Sequence, residues 1–189
     1  PKLAQRIAAA AAGKGVEALD APVSGGDIGA REARLSIMVG GNPEAFERVK
    51  PLFDVMGKNI GLMGPAGSGQ HTKMVNQIAI ASGMMGVCES MAYARASGLD
   101  PSAVISVIES GAAGSWSLIN LAPRLLKGDF APGFFVKHFI KDMRIALESA
   151  AEMDIDLPGL SLAKQLYDKL AAQGGEDYGT QALFKLYES

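Results

Sequence analysis

The pattern of apolar and polar positions changes near residue 64, and the change divides the chain into two parts. Before it, short apolar runs with strand character alternate with stretches of helical periodicity. The predicted strands cover residues 16–21, 35–41 and 59–64. The predicted helices cover residues 3–12, which end at Gly13, and a segment that begins at Pro43, has Asn42 as its N-cap and is disturbed by Pro51. This alternation indicates a small βαβ-like α/β portion.

After residue 64 the sequence carries helical patterns and no strand pattern. The first helix, predicted over 71–96, is apolar nearly all round, which predicts burial among other helices or between subunits. Gly98 should end it, and Asp100 with Pro101 should begin the next one. Further helices are predicted over residues 115–127, 137–152, 160–173 and 180–188. The predicted fold class is therefore mainly α, with residues 1–64 and 65–189 as separate domains.

Composition narrows the function classes. The chain has 189 residues, 48% hydrophobic and 20% charged, and its formal net charge is −2. A sizeable core is therefore possible, and the lack of a basic excess argues against nucleic acid and membrane as partners. His71 and His138 are far apart and have no partner at metal-ligand spacing, so no metal site is predicted.

The sequence also gives expectations about the cellular location of the protein and about whether the chain is complete. The single cysteine, Cys88, cannot form an internal disulfide and is typical of a reducing compartment, so a cytoplasmic protein is expected. No apolar run reaches the length of a membrane span, and the first 15 residues lack the layout of a signal peptide. The chain begins with Pro1 rather than Met. We therefore expect it to be truncated, which leaves an N-terminal targeting signal open.

The segment DAPVSGGDIGARE, residues 20–32, is the first candidate for chemistry. Ser24 presents a hydroxyl beside two adjacent glycines, Gly25 and Gly26, at the end of a predicted strand. One interpretation is a tight turn. The other is a cradle for a small anionic ligand, because a hydroxyl and approachable backbone N–H groups bind anions and a Cβ at either glycine would obstruct them.

The segment GPAGSGQHTKMVNQ, residues 64–77, is the second candidate. Its glycines lead into the long helix, whose free N–H groups favour an anion, and Lys73 adds a proton donor. Asn76 and Gln77 follow three and four residues later and share the helix face of Lys73. The alternative is a tight helix entry with a solvated lysine. A P-loop is excluded because Gln70 stands where that motif needs lysine.

These two segments and KHFIKDMRIALESA, residues 137–150, occur in an order and spacing that resemble the β-hydroxyacid dehydrogenase family. The family includes 3-hydroxyisobutyrate dehydrogenase, tartronate semialdehyde reductase and glyoxylate/succinic semialdehyde reductases. The resemblance covers essentially the whole chain. It implies the C-terminal portion of a Rossmann domain followed by an all-helical domain like that of 6-phosphogluconate dehydrogenase. It also implies NAD or NADP as cofactor, a small carboxylate substrate and a homodimer or homotetramer.

The resemblance assigns roles to residues around the substrate. Ser24, Gly25 and Gly26 match the segment that binds the substrate carboxylate. Lys73 matches the catalytic lysine, which exchanges a proton with the substrate oxygen while hydride moves to or from the nicotinamide. Asn76 matches a substrate-orienting amide.

The resemblance extends to the later helix. Lys141 and Asp142 match a pair that closes over the cofactor and the lysine, with Lys141 on the cofactor and Asp142 on the substrate side. Phe134 matches an aromatic residue that some members place in the substrate cleft. Gln77 stands where many members carry a second asparagine, which makes its match weaker.

The chain departs from the family in one respect. The fingerprint G-x-G-x-x-G, which binds the dinucleotide in a Rossmann domain, does not occur in its 189 residues. We therefore expect the chain by itself to be inactive. A non-catalytic assembly module is the alternative function, against which Lys73 argues. A 6-phosphogluconate dehydrogenase activity is disfavoured because the sequence shows no cluster of basic residues for a sugar phosphate.

Overall fold

The computed structural model describes residues 1–188, which form two compact units. The first unit is Pro1–Asn76, and the second begins at Gln77. The boundary therefore falls inside a helix in this division of the chain, and the sequence-based domain boundary after residue 64 remains a prediction. Across residues 1–188, no helix combines the length and the hydropathy needed to cross a membrane.

The first unit is built on a small mixed sheet. Its elements, in chain order, are α1 (Lys2–Ala12), β1 (Val23–Ser24), α2 (Gly26–Arg31), β2 (Leu35–Gly40), α3 (Pro43–Asp54) and β3 (Gly57–Gly64). Strand β2 is central, pairing antiparallel with β1 and parallel with β3. Leu35, Ile37 and Val39 of β2 pack with Phe46 of α3 into a buried apolar core. The sheet thus holds the end of β1, where Ser24 lies, against the central strand β2.

The start of helix α3 agrees with the sequence-based prediction, which is confirmed. The side chain of Asn42 accepts hydrogen bonds from the backbone N–H groups of Glu44 and Ala45 at 2.8 and 3.1 Å. Pro43 follows as the first helical residue. Pro51 lies inside α3, which continues to Asp54, so the predicted disturbance does not end the helix.

The strand predicted over residues 16–21 is wrong. Residues 16–19 form no strand, and Asp20 makes an isolated antiparallel bridge with Gly40. The short strand that does form is β1, directly after Pro22. An apolar run becomes a strand when a neighbouring strand satisfies its backbone. No such neighbour lies beside residues 16–19 in the part of the chain that the structure describes, and Val16 is 58% exposed.

The second unit is helical, as predicted. The helices after residue 64 are α4 (Ser68–Ala96), α5 (Pro101–Ile108), α6 (Trp116–Asn120), α7 (Ala122–Leu126), α8 (Val136–Glu152) and α9 (Pro158–Leu170), followed by a π-helical turn at Ala171–Gly175 and a 3₁₀ helix at Thr180–Tyr187. Helix α4 begins in the first unit and continues into the second. The single helix predicted over 115–127 is instead two helices that meet at Leu121. Pro123, at the start of α7, has no N–H to extend the hydrogen bonding of α6.

Helix α4 was predicted to be buried among other helices or between subunits. Other parts of this chain do not cover it on all sides, so burial among its own helices alone is not what the structure shows. Its buried side chains are Met74, Ala81, Met84, Val87, Cys88, Met91 and Ala94. Val75 and Tyr93, in contrast, are 66% and 75% exposed. The helix looked uniformly apolar because alanine, glycine and serine fill many of its surface positions. Burial against a second copy, the other expectation, remains a prediction.

Candidate functional site

The sequence-predicted site residues fall into two groups, one in each unit. In the first unit, Lys73 lies in the second turn of α4. Its Nζ donates a hydrogen bond of 2.9 Å to the carbonyl oxygen of Val23 in β1. Ser24 is the next residue of that strand, so the fold brings the lysine side chain to the segment that carries the serine. An ammonium group has three donors, which lets Lys73 keep the strand carbonyl and also address another acceptor.

The glycines after Ser24 adopt backbone conformations that favour glycine. Gly25 has φ 127° and Gly26 has φ 62°, and helix α2 begins at Gly26. A Cβ on Gly25 would also lie 3.3 Å from a methyl group of Leu35. Both glycines are exposed, and Ser24 is half-buried. The segment thus forms a turn, and the anion cradle on the same exposed backbone remains a prediction.

Helix α2 was not predicted from the sequence. It spans six residues, and its N-cap, Gly25, has no side chain that could signal a helix start. Two adjacent glycines normally indicate a turn, which is what precedes the helix here. The helix makes the exposed backbone at Gly26 part of a helix N-terminus.

Asp20 is a residue of this unit to which sequence reasoning assigned no role. Its carboxylate accepts hydrogen bonds from the backbone N–H groups of Gly67, at 2.6 Å, and Gln70, at 2.8 Å. Both N–H groups belong to the start of α4, so a side chain of this chain already satisfies them. The expectation that they are free for an external anion is therefore wrong. The contacts join residues 47 and 50 positions apart, and a local motif could not reveal them.

The start of α4 also packs closely against β2. A Cβ on Gly40 would lie 2.7 Å from the backbone nitrogen of Gly69, and a Cβ on Gly69 would lie 2.8 Å from an Asp20 carboxylate oxygen. At Gly69 the carbonyl oxygen of Met38 is closer still. Glycine is needed at both positions because the backbones of the strand and the helix touch directly.

A matched pair of substitutions in α4 tests this close approach. We expect Gly69→Ala to lower the free energy of unfolding by about 1–3 kcal/mol, because backbone atoms of Met38 and Asp20 would have to move. A methyl group on Gly83, in the same helix, would meet open space, so Gly83→Ala should raise stability by about 0.5–1 kcal/mol. Urea unfolding of both variants measures the difference. Equal effects at the two positions would contradict the packing at Gly69.

The second group lies in the second unit and centres on Asp142 of α8. The side-chain amide of Gln77 donates to one carboxylate oxygen at 2.7 Å, and the ammonium of Lys141 lies 2.9 Å from the other. Gln77 and Asp142 are 1% and 6% exposed, whereas the Lys141 side chain is 55% exposed. The carboxylate therefore links a buried amide to an exposed ammonium. Such a group can present the ammonium of Lys141 to a polar or anionic ligand.

Two further predicted residues have defined surroundings. Phe134 is half-buried, and its ring meets that of Phe139 edge-on at a centroid distance of 5.6 Å. Phe139 in turn packs on Tyr167 at 5.1 Å, so an aromatic cluster holds Phe134 in place. Asn76 is half-buried in the first unit, three residues after Lys73 along α4.

Other reactive side chains offer less to this chemistry. Within residues 1–188, no three or more His, Cys, Asp or Glu side chains come together in a group that could hold a metal ion. Cys88 is buried, and its burial, together with the nearby negative charge of Glu89, raises the pKa of the thiol far above its usual range. The thiol therefore stays protonated and is a poor nucleophile.

Two protein-family models match the chain. Residues 1–64 match the NAD-binding domain of 6-phosphogluconate dehydrogenase, and residues 67–187 match the NAD-binding domain of NADP-dependent 3-hydroxyisobutyrate dehydrogenase. Together they support NAD or NADP as the cofactor class that the sequence predicted.

Individual relatives agree with these matches. An uncharacterized oxidoreductase of Bacillus subtilis is 66% identical over 99% of this chain and 65% of its own length. The 2-hydroxy-3-oxopropionate reductase of Escherichia coli is 44% identical over 92% of this chain and 60% of its own length. A structure of Mycobacterium tuberculosis 3-hydroxyisobutyrate dehydrogenase with L-serine superimposes with a TM-score of 0.91 at 30% identity, covering 98% of this chain and 66% of that one.

The chain thus spans less than two thirds of the length of the relatives that it matches, while nearly all of its own length is covered. The family resemblance predicted from the sequence is confirmed, and the chain belongs to the β-hydroxyacid dehydrogenase family, the family of 3-hydroxyisobutyrate dehydrogenase.

Proposed function

We propose that this chain forms the substrate-binding part of a nicotinamide-dependent oxidoreductase that interconverts a small β-hydroxy acid and its semialdehyde or keto form. The observation that carries the proposal is the hydrogen bond from Lys73 to the carbonyl of Val23, next to Ser24. It puts a proton donor beside the predicted carboxylate cradle. The assembly-module alternative gives no reason for an ammonium group at this position.

The proposed reaction needs a hydride and a proton. NAD or NADP supplies the hydride for reduction and accepts it in oxidation. During reduction Lys73 gives a proton to the substrate carbonyl oxygen, so that one C–H and one O–H bond form, and the neutral amine then regains a proton from solvent. During oxidation Lys73 first loses a proton to solvent, and the neutral amine then takes the hydroxyl proton while the hydride leaves the same carbon atom of the substrate.

The substrate class follows from the turn after β1. The Ser24 hydroxyl and the exposed backbone of Gly25 and Gly26 would hold a carboxylate, and Asn76 would orient the reacting end of the molecule. Two relatives support this class: one is named for 2-hydroxy-3-oxopropionate and the other was solved with L-serine, both small carboxylates.

The Asp142 group would serve the cofactor and the far side of the substrate. The half-exposed ammonium of Lys141 suits contact with the cofactor, while Asp142 and Phe134 would face the substrate. Gln77 was predicted as a weaker substrate contact. Its 1% exposure and its bond to Asp142 favour an indirect role, in which it orients that carboxylate.

We also propose that the protein pairs as a homodimer or homotetramer in the cytoplasm. The exposed apolar side chains Tyr93 and Val75 of α4 support an interface between copies, because contact with a second copy would remove their apolar surface from water. The buried free thiol of Cys88 is consistent with a reducing compartment.

Substitution of Ser24 tests the carboxylate cradle. Activity is measured on a fusion protein that joins residues 1–189 to the part of the Bacillus subtilis relative that this chain does not match. We expect Ser24→Ala to raise the substrate KM by more than about tenfold, because a hydrogen bond to a charged group contributes roughly 1.5–3 kcal/mol. The KM of the cofactor should change little.

The same substitution at an exposed serine of α5, Ser102→Ala, is the control and should leave both constants unchanged. If Ser24→Ala instead raises the cofactor KM and leaves the substrate KM alone, Ser24 does not hold the substrate carboxylate.

A further inference from the structure

We propose that Asp20 is a positioning residue that holds Lys73 beside Ser24. The inference rests on the proposed function, in which Lys73 exchanges the proton, and it adds a residue that acts through the lysine. Asp20 carries out this role through the backbone of α4 and touches neither substrate nor cofactor.

Asp20 makes a pair of hydrogen bonds to the start of α4. The carboxylate accepts from the N–H groups of Gly67 and Gln70, one with each oxygen, at 2.6 and 2.8 Å. Bonds from backbone N–H groups to an ionised carboxylate are among the strong hydrogen bonds of proteins. They also bring the negative charge to the positive end of the helix dipole. The start of α4 is therefore fixed to the segment that leads into β1.

Lys73 connects the same two segments at a second point. Lys73 lies three residues after Gln70, and it contacts Val23, which lies three residues after Asp20. The segment 20–23 is thus joined to the start of α4 at both of its ends. The bond at the Lys73 end involves the ammonium group itself, so it changes when that group gives its proton to a substrate. The bonds at the Asp20 end do not, so they keep helix and strand in register during that exchange.

The backbone leaves little space around the carboxylate of Asp20. Gly40 and Gly69 bring backbone so close that a Cβ on Gly40 would lie 2.5 Å from one oxygen of Asp20, and a Cβ on Gly69 would lie 2.8 Å from the other. Asp20 also exchanges two backbone hydrogen bonds with Gly40, at 2.8 and 3.0 Å. The carboxylate therefore lies closely between the backbone of β2 and the start of α4.

The test compares Asp20→Ala with Asn42→Ala. Asn42 also accepts two backbone N–H groups at a helix start in the same unit, but it caps α3 and has no part in the site. Loss of either cap should lower the melting temperature by about 2–8 °C. In chain 1–189, mass spectrometry measures the rate at which Lys73 is acetylated. The acetylation rate of Lys50, which is paired with Asp54 on α3, serves as the internal reference. In the fusion protein, kcat and both KM values are measured.

In the Asp20→Ala variant we expect Lys73 to be acetylated severalfold faster than in the parent chain. We also expect kcat to fall by about 10–100-fold, since small misplacements of a reacting group are costly. Its cofactor KM should stay unchanged. Asn42→Ala should alter neither acetylation nor kcat. Asp20→Asn, which keeps the shape but only one acceptor oxygen, should change both quantities in the same direction and by less, and it carries the test if Asp20→Ala does not fold.

One result would overturn the proposal: the variant melts at a lower temperature, but acetylation of Lys73 is unchanged or slower and kcat is unchanged. Asp20 would then be a helix cap and nothing more. The acetylation arm is independent of catalysis. If Lys73 proves dispensable for turnover, the proposed function fails while the labelling result still decides whether Asp20 positions the lysine.

Discussion

Replacement of Lys73 by alanine in the fusion protein is expected to lower kcat by about 10²–10⁴-fold, the usual contribution of a general acid or base. The substrate KM should change far less, because in the proposed function the turn after β1, and not the lysine, holds the carboxylate. The variant should remain folded, since Lys73 meets the strand through its ammonium group and is not part of the buried apolar core of the first unit. Turnover is measured in both directions, with circular dichroism as the check on folding.

The matched control is Lys50→Ala. Lys50 is a partly exposed lysine of the same unit, and it pairs with Asp54 one helical turn away, an arrangement that contributes little to stability. Its removal should leave kcat unchanged. Turnover near that of the parent protein in Lys73→Ala would remove this lysine from the mechanism and leave the assembly-module alternative in its place.

Features of the fold that depend on neighbouring residues could be predicted from the sequence. The starts of α3 and α5 are examples, because the capping side chain and the N–H groups that it accepts lie within three residues of each other, at Asn42 and at Asp100. The mainly helical second part was equally clear, since helices satisfy their own backbone.

Features that depend on distant residues could not be predicted in the same way. Residues 16–21 have the composition of a strand, but a strand also requires a partner, and β2 reaches only Asp20 in this segment. The bonds of Asp20 to the start of α4 connect segments far apart in the chain. The sequence alone indicates an anion-binding helix end, and the folded chain fills that end with its own carboxylate.

In the candidate site, too, some features could be predicted from the sequence and others depend on contacts between distant residues. The resemblance to a family identified Lys73 and Ser24, and the geometry of the first unit explains how a helix and a strand keep them near each other. For Gln77 the resemblance suggested contact with substrate. Its burial against Asp142 could be known only from the packing of α4 and α8 in the second unit.

Dinucleotide binding by residues 1–189 alone is expected to be weaker than binding by the fusion protein by about 10²–10⁴-fold. A Rossmann domain holds the pyrophosphate on its glycine-rich turn and helix N-terminus, and the sequence contains no G-x-G-x-x-G. Two charge-assisted hydrogen bonds, at roughly 1.5–3 kcal/mol each, account for a difference of this size. Within these residues, the family resemblance predicts cofactor contacts at Lys141, whose side chain is half-exposed, and at the glycine-rich approach to Lys73.

Titration of NADH and of NADPH, followed by nicotinamide fluorescence, measures both dissociation constants under one set of conditions. Lys141→Ala in the fusion protein shows what this residue adds to affinity, and Lys164→Ala, at a lysine of α9 that pairs with Asp168, is its control. Equal micromolar constants for chain 1–189 and for the fusion protein would contradict the prediction. The main contacts to the dinucleotide would then have to lie within these residues, because a site that needs the glycine-rich turn cannot reach full affinity in a chain whose sequence does not contain one.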